Sequence, residues 1–302
     1  MLRVYGGAAI RASIFNLSTV IFADPLQLEE RYPLALQLYT HPMSPCSQKV
    51  RIVLAEKTLA WDKIDLDLPS KENLSAEYLK LNPAGVVPTL VEDDKPVIES
   101  SIICEYLDDR YPGHSLRPSD PHQLASMRYW MKHIDNRLHP ACGALQWPLV
   151  MADKLKLLPV EEQDRIMATV PEKPRRERQT RLLKMGYDAP DVIDAVGVYE
   201  KTISDLDELL GRQKWIAGDD FSLADAAMAP YFQTPYQFDW REWYESRANV
   251  ADWYTRCRAR DSYASAVSAD FTPAKLEDLR QRGEPAWRKI QALLKASGSS
   301  AT

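Results

Sequence analysis

The chain has little of what extracellular, metal-binding and membrane proteins are built from. Its 302 residues include four cysteines and five histidines, with no CxxC and no HExxH motif. Widely spaced cysteines argue against a disulfide framework or a thiol zinc site and favour a reducing compartment, so we expect a cytoplasmic protein without a metal site. His139 and Cys142 stand three positions apart, a spacing that is far more often incidental than metal-binding.

Net charge and the length of apolar runs set two further limits. A net charge of −5 gives no reason to expect a nucleic-acid partner. No apolar run reaches the roughly 18 residues of a membrane-spanning helix, so we expect no membrane span. With 45% hydrophobic and 27% charged residues, the chain has an ordinary globular composition and is long enough for two domains.

The first 33 residues differ from the rest of the chain. They contain Arg3 and Arg11, no acidic residue before Asp24, and an apolar stretch around positions 14–23. A signal peptide, an organelle transit peptide, a disordered extension and an unused upstream start are all compatible with this pattern. We therefore treat residues 1–33 as an extension that is either disordered or used for targeting.

A strand-to-helix junction at residues 39–51 organises the chain. The apolar run before it predicts a short strand, and the spacing after it predicts a helix with Lys49 and Arg51 on its solvent side. Ser44 stands at the N-cap position of this helix. Pro45 suits the first helical position, because a missing N–H leaves nothing unsatisfied there.

The first turn of this helix carries two hydroxyls and a thiol, from Ser44, Ser47 and Cys46. A helix N-terminus offers free N–H groups and the positive end of the helix dipole. It therefore favours an anion, such as a thiolate of the protein or of a ligand. From this stretch alone, Ser44 is equally well explained as a helix cap without further function.

The predicted elements up to residue 113 follow the order β-α-β-α-β-β-α, which indicates a small α/β unit with a mixed sheet. Pro88 interrupts an apolar strand signal, which indicates either an edge strand or a cis peptide bond after Val87. A cis bond would leave the Val87 N–H and C=O free to pair with an extended peptide. Glu99 precedes Ser100 at the start of the third helix. The two could bind the ammonium and carboxylate of an amino-acid head, and an exposed acid beside an ordinary cap is the plain alternative.

Together these motifs resemble the cytosolic glutathione transferase superfamily. Four motifs stand in the family's order: SPCSQKVR (44–51), NPAGVVPTL (82–90), IESSIICEYL (98–107) and FSLAD (221–225). The resemblance covers about residues 36–268. It implies a thioredoxin-like α/β N-terminal domain and an all-α C-terminal domain. We place these domains at residues 35–113 and 120–292.

The resemblance also implies a function and a role for each motif. The chain would be a glutathione transferase, usually a homodimer, that uses glutathione as co-substrate against a hydrophobic electrophile, with a role in detoxification. Ser44 would stabilise the glutathione thiolate, and Val87, before the cis bond, would pair with the cysteinyl backbone. Glu99 and Ser100 would bind the γ-glutamyl head. Lys71, in a loop that aligns poorly, is a candidate for the glycine carboxylate.

Cys46 opens an alternative within the same family. The Ser-x-Cys-Ser pattern is similar to that of zeta-type enzymes, and some classes with a cysteine nearby form mixed disulfides with glutathione or isomerise double bonds. A second hypothesis is therefore that Cys46 carries the chemistry and the protein is a glutathione thiol transferase or isomerase. Ser44 remains the preferred residue, because it stands at the helix cap. A third hypothesis is a non-enzymatic ligand carrier with the transferase fold.

The second half of the chain contains both family features and departures from them. Met127 and Trp130 lie on the apolar stripe of a long helix at 120–147, and we interpret them as core, with a place in the electrophile pocket, which this helix walls in the family, as the alternative. The FSLAD motif reads as a capping box, which makes Asp225 a folding element. Residues 151–190 form a charged, proline-punctuated insertion, interpreted as a solvated helix, with contact to an anionic substrate as the alternative. The insertion resembles bacterial β-etherase-type transferases and related fungal enzymes, which cleave aryl ethers with glutathione.

Overall fold

Four short strands form a mixed sheet within residues 36–298, the part of the chain that the computed structural model describes. The strands are β1 (Gln37–Thr40), β2 (Asp62–Asp65), β3 (Thr89–Glu92) and β4 (Lys95–Val97). β1 pairs in parallel with β2 and antiparallel with β3, and β3 pairs antiparallel with β4. Asp93 and Asp94, with φ of 51° and 62°, close the predicted β3–β4 hairpin in the left-handed region that two-residue turns favour. The predicted extension at 1–33 lies outside the described residues.

Helices cover both faces of this sheet. They are α1 (Pro45–Glu56), α2 (Ala76–Leu81) and α3 (Ser100–Arg110). Leu38 of β1 is buried in the core that α1 and α3 share. Its neighbour Tyr39 points to the opposite face, as alternation along a strand requires, and packs on Tyr78 of α2 with 5.5 Å between ring centroids. The observed order of elements confirms the predicted β-α-β-α-β-β-α unit.

The second half of the described chain is helical. α4 (Pro121–His133) continues through a π-helical turn (Ile134–Leu138) into α5 (His139–Val150), close to the long helix predicted for 120–147. Met127 and Trp130 are buried in the core, as predicted. The next helices are α6 (Ala152–Lys156), α7 (Val160–Ala168), α8 (Lys173–Met185), α9 (Pro190–Leu210), α10 (Leu223–Gln237), α11 (Glu242–Glu245), α12 (Ala248–Arg258), α13 (Asp261–Ala266) and α14 (Pro273–Gly298). Between residues 36 and 298, none of the helices is both long and apolar enough to cross a bilayer.

The predicted capping box starts α10, the central helix of this half. The Ser222 side chain and the Asp225 side chain cap each other's backbone N–H groups. Asp225 is fully buried and also accepts hydrogen bonds from the Ile216 N–H at 3.0 Å and the Trp253 indole N–H at 2.8 Å. A buried carboxylate with this many donors fixes the packing of three segments, so Asp225 is a folding element.

α1 is covered on two sides, by the sheet and by the helical half. Lys49 is fully buried, and its Nζ donates to Asp135 and to Ser101, each at 2.9 Å. Arg51 is 3% exposed and pairs with Asp270 at 2.8 Å. The predicted solvent orientation of Lys49 and Arg51 is therefore wrong, because α10 and α13 pack on the face of α1 that points away from the sheet.

Candidate functional site

Ser44 is the N-cap residue of α1, as predicted. Its backbone is extended, with φ of −89° and ψ of 112°, and Pro45 takes the first helical position. The Ser44 Oγ accepts a hydrogen bond from the Ser47 N–H at 3.3 Å. The half-buried side chain lies on the wall of a cavity between the sheet and the helical half. A negatively charged atom in this cavity would meet the positive end of the α1 dipole.

This cavity has a volume of about 200 Å³. Its polar walls come from the start of α1, two loops of the sheet region, α5 and α8, through Ser44, Lys71, Val87, His139, Arg175 and Arg178. It brings together two predicted site residues, Ser44 and Val87, with the candidate Lys71. The described residues contain no group of three or more His, Cys, Asp or Glu side chains placed to hold a metal ion.

The loop before β3 holds Val87 with its backbone unpaired. The Val87–Pro88 peptide bond is cis, as the resemblance implied. The preceding carbonyl, that of Val86, accepts hydrogen bonds from the Tyr78 hydroxyl at 2.5 Å and the Asn82 Nδ2 at 2.9 Å. The N–H and C=O of Val87 itself make no hydrogen bond to the rest of residues 36–298. They are therefore available to a peptide ligand that enters the cavity.

Glu99 and Ser100 lie at the start of α3 and do not line the cavity. Glu99 is the N-cap residue and has φ of 68° and ψ of 107°, which is unfavourable for a residue with a side chain. Its carboxylate is exposed and forms no ion pair within the described chain. Unfavourable backbone conformations of this kind cost about 1–3 kcal/mol and concentrate at ligand sites. The geometry is compatible with the predicted γ-glutamyl site.

Cys46 faces the protein interior, where it contacts His139 and Tyr231. Its Sγ lies 3.3 Å from Nδ1 and 3.9 Å from Nε2 of His139. The Tyr231 hydroxyl lies 3.5 Å from the sulfur and 3.3 Å from the same Nδ1. Cys46 is only 9% exposed, whereas His139, the first residue of α5, is exposed and lines the cavity. His139 therefore contacts both the Cys46 sulfur and the cavity, whereas the sulfur itself is not on the cavity wall.

Cys46 and His139 hold each other in their charged forms. Burial raises the pKa of Cys46, but the positive charges of His139 and Lys49 outweigh that effect and lower the pKa to about 6. The Cys46 thiolate in turn raises the pKa of His139 and outweighs the cost of desolvating a charged imidazole beside the sulfur. Burial keeps the pKa of Tyr231 well above its ordinary value, so its hydroxyl stays protonated. With a pKa of about 6, Cys46 is mostly thiolate at neutral pH, and its charge favours the protonated form of His139.

Three cavity residues, His139, Arg175 and Arg178, were not selected from the sequence. His139 meets Cys46 across 93 positions, and no local spacing signals such a contact. Arg175 and Arg178 belong to α8, in the basic insertion that was interpreted as a solvated helix. That interpretation is wrong for this face of α8, which is half-buried. The helical spacing of the two arginines with Leu182 is the signal that could have revealed it.

Known proteins are similar to this chain over most of its length. A sequence model of the glutathione S-transferase N-terminal domain matches residues 38–115, and one of the C-terminal domain matches residues 154–261. Protein LigF of Sphingobium sp. is 31% identical over 257 residues, which span 82% of this chain and 98% of LigF. A tetrachloro-p-hydroquinone reductive dehalogenase of Sphingobium chlorophenolicum is 27% identical over 237 residues, 76% of this chain and 95% of that protein. The crystal structure of the β-etherase LigF matches with a TM-score of 0.71 at 27% identity, covering 77% of this chain and 98% of LigF.

Proposed function

This chain belongs to the glutathione S-transferase family and is a glutathione-dependent transferase, and we propose that it uses Ser44 to activate glutathione for attack on an aryl ether. In this reaction a C–S bond forms to the glutathione sulfur while the C–O bond breaks and releases a phenolate. The observation that carries the proposal is the position of Ser44, at a helix N-terminus and on the wall of a cavity shared with Val87 and His139. The name β-etherase given to LigF supports the choice of electrophile.

Ser44 is suited to stabilise a thiolate. A free thiol has a pKa of about 8.5, so only a few per cent is ionised at pH 7. Lowering that pKa by two units requires roughly 2.7 kcal/mol. A hydrogen bond to a charged sulfur supplies about 1.5–3 kcal/mol, and a helix N-terminus adds about 0.3–1 kcal/mol. Since the Ser44 Oγ accepts the Ser47 N–H, its own proton is free to be donated to the sulfur.

We propose that glutathione lies between Ser44 and the start of α3. The unpaired N–H and C=O of Val87 would bind its cysteinyl backbone in the antiparallel manner. Glu99 would bind the γ-glutamyl ammonium, and Ser100 at the N-terminus of α3 would bind its carboxylate. Lys71, on the wall of the cavity, would bind the glycine carboxylate.

We propose that His139 is the general acid that donates a proton to the departing phenolate. His139 lines the same cavity as Ser44, and the charge of the Cys46 thiolate raises its pKa, which favours the protonated imidazole needed for this role. His139 would donate its proton to the phenolate oxygen and regain one from water. Cys46 would then act as a positioning residue that holds His139 in its acid form. The alternative hypothesis, a thiol transferase or isomerase that reacts through Cys46, is disfavoured because the sulfur is not on the cavity wall.

Three further proposals complete this assignment. Residues 35–113 would form the glutathione-binding domain and residues 120–292 the helical domain, with the charged insertion at about 151–190. The active protein would be a homodimer, as is usual in the family. Its location would be cytoplasmic, which fits four buried cysteines that are all free thiols.

A comparison of electrophiles tests the proposed function. The protein and glutathione are incubated with one electrophile at a time: an aryl ether, a halogenated arene or a compound with a maleyl-type double bond. The products are identified by mass spectrometry. We expect a glutathione thioether and a phenol in equal amounts from an aryl ether, neither of them without glutathione. Reaction of the other two classes without any ether cleavage would show that the electrophile is wrongly assigned. A Ser44→Ala variant with the full wild-type rate would remove Ser44 from the mechanism.

A further inference from the structure

Helix α8 has arginines where a packed helix normally has apolar residues. Arg175, Arg178, Gln179 and Leu182 follow the i, i+3, i+4, i+7 spacing of one helix face. Leu182 is buried, and the three polar residues are half-buried and line the cavity that Ser44 opens into. The opposite face of α8 is exposed and carries Lys173, Glu177 and Lys184. The insertion therefore contributes positive charge to the wall of the cavity.

The cavity holds several positive charges and no carboxylate. Lys71, Arg175 and Arg178 line it, and its walls include neither Asp nor Glu. Burial lowers the pKa of Lys71, and the charge of Arg175 lowers it further. Burial likewise lowers the pKa of both arginines. Half-buried charges of one sign that form no ion pair are unfavourable, so an anionic ligand would relieve repulsion and desolvation together.

Arg178 differs from its neighbours on α8 in having no partner. Arg181 pairs with Asp191 at 2.7 Å, and the Arg176 guanidinium donates to the Val170 carbonyl at 2.6 Å. The Arg175 guanidinium donates to a carbonyl of the loop before β3 at 2.8 Å. Within residues 36–298, Arg178 makes neither a hydrogen bond nor an ion pair. Its five N–H donors are therefore available to a ligand.

Arg178 also lines a second, larger cavity. This cavity has a volume of about 790 Å³, and α5 and α9 give it an apolar wall of Pro140, Ala141, Ala144, Ile193 and Val198. Asp191, which pairs with Arg181, and Asp194 also line it. A cavity of this size fits an aromatic molecule, since small-molecule sites span about 300–1,000 Å³. Arg178 stands where the larger cavity meets the Ser44 cavity, and its charge acts on His139. Arg178 is therefore within reach of a molecule that occupies either cavity.

Glutathione does not use this guanidinium in the proposed arrangement. Its γ-glutamyl carboxylate lies at Ser100, outside the cavity, and its glycine carboxylate at Lys71. We propose that the electrophile of this enzyme is anionic and that Arg178 binds its carboxylate or an equivalent anionic group through two parallel hydrogen bonds. The proposal rests on the glutathione transferase activity and on the site at Ser44. It narrows the substrate to aromatic electrophiles that carry a negative charge.

Two matched pairs of electrophiles test this proposal. One pair is a carboxylate-bearing aryl ether and its neutral methyl ester, and the other is chlorodinitrobenzoate and chlorodinitrobenzene. With Arg178→Gln, we expect kcat/KM to fall by about 10- to 100-fold for the carboxylates, the usual size of a charge-assisted hydrogen bond. The neutral partners should keep their rates, and Arg178→Lys should restore part of the loss. Lys173→Gln, an equal charge change on the exposed face of α8, is the control and should alter neither pair.

Two outcomes would overturn the proposal, and a third would separate it from the proposed function. An equal loss on carboxylate and neutral electrophiles would mean that Arg178 acts generally on folding or on the reaction. A higher KM for glutathione with both members of a pair would place the glycine carboxylate at Arg178. A selective loss for chlorodinitrobenzoate, without any ether cleavage by the wild type, would support Arg178 while refuting the aryl ether assignment. Charge reversal adds an independent check, because Arg178→Glu should prefer an ammonium-bearing ether over the carboxylate.

Discussion

Replacing His139 by glutamine removes the imidazole beside Cys46 and keeps a polar side chain in the cavity. In the wild type the pKa of Cys46 is about 6 instead of 9.0, because His139 and Lys49 outweigh the effect of burial. Three pKa units correspond to about 4 kcal/mol in favour of the thiolate. In His139→Gln the effect of burial remains and the largest opposing charge is gone. We therefore expect the Cys46 pKa to return to its ordinary value of 9.0 or to exceed it.

Ultraviolet absorbance of the thiolate measures this change directly. Below pH 9 the signal should come from Cys46 alone, because burial raises the pKa of Cys104 to about 12, that of Cys142 to about 11 and that of Cys257 well above its ordinary value. At pH 7 about 90% of Cys46 should be thiolate in the wild type and about 1% or less in the variant. Cys46→Ser supplies the blank. Equal midpoints in the wild type and in His139→Gln would refute the coupling of the two residues.

Three other predictions concern the proton donor His139, the buried Lys49 and the capping box at Asp225. In His139→Gln, the rate of ether cleavage should fall by up to about 10²–10⁴-fold, and the loss should be larger for ethers whose departing phenol is less acidic. Measurements of kcat for a series of such ethers test this, and an equal loss for all of them would contradict proton donation by His139. Lys49→Met should raise the pKa of Cys46 by less than His139→Gln does, since Lys49 is the weaker of the two charges acting on the sulfur; the same titration decides it. Asp225→Ala leaves buried donors unpaired, including the Trp253 indole N–H, and should lower the free energy of unfolding in urea by about 2–4 kcal/mol without changing the thiol pKa of bound glutathione.

Local rules were enough to predict the features that depend on neighbouring residues. Ser44 followed by Pro45 indicates the start of a helix, and Ser222 with Asp225 indicates a capping box. In both motifs a side chain accepts a hydrogen bond from a backbone N–H group within one turn. The β3–β4 hairpin is likewise set by its turn residues. These features position the candidate site, so the N-terminal α/β unit and the place of Ser44 could be predicted from local rules, whereas the all-α second domain was implied by the family resemblance.

Features that depend on which surface covers a helix could not be predicted. Lys49 has the spacing of a solvent-facing residue, yet a second layer of helices buries it against Asp135. The sequence around Arg178 is typical of a charged surface helix, whereas in the structure α8 forms part of the cavity wall. His139 meets Cys46 because the first residue of α5 lies beside the first turn of α1, a contact that has no local signature.

The thiol pKa of glutathione bound to the protein tests the central claim most directly. The measurement uses ultraviolet absorbance in the Cys46→Ser background, so that the only thiolate near neutral pH belongs to glutathione. We expect a pKa about two units below that of free glutathione when Ser44 is present, and a return to the free value in Ser44→Ala. The same lowered pKa with and without the Ser44 hydroxyl would contradict the account.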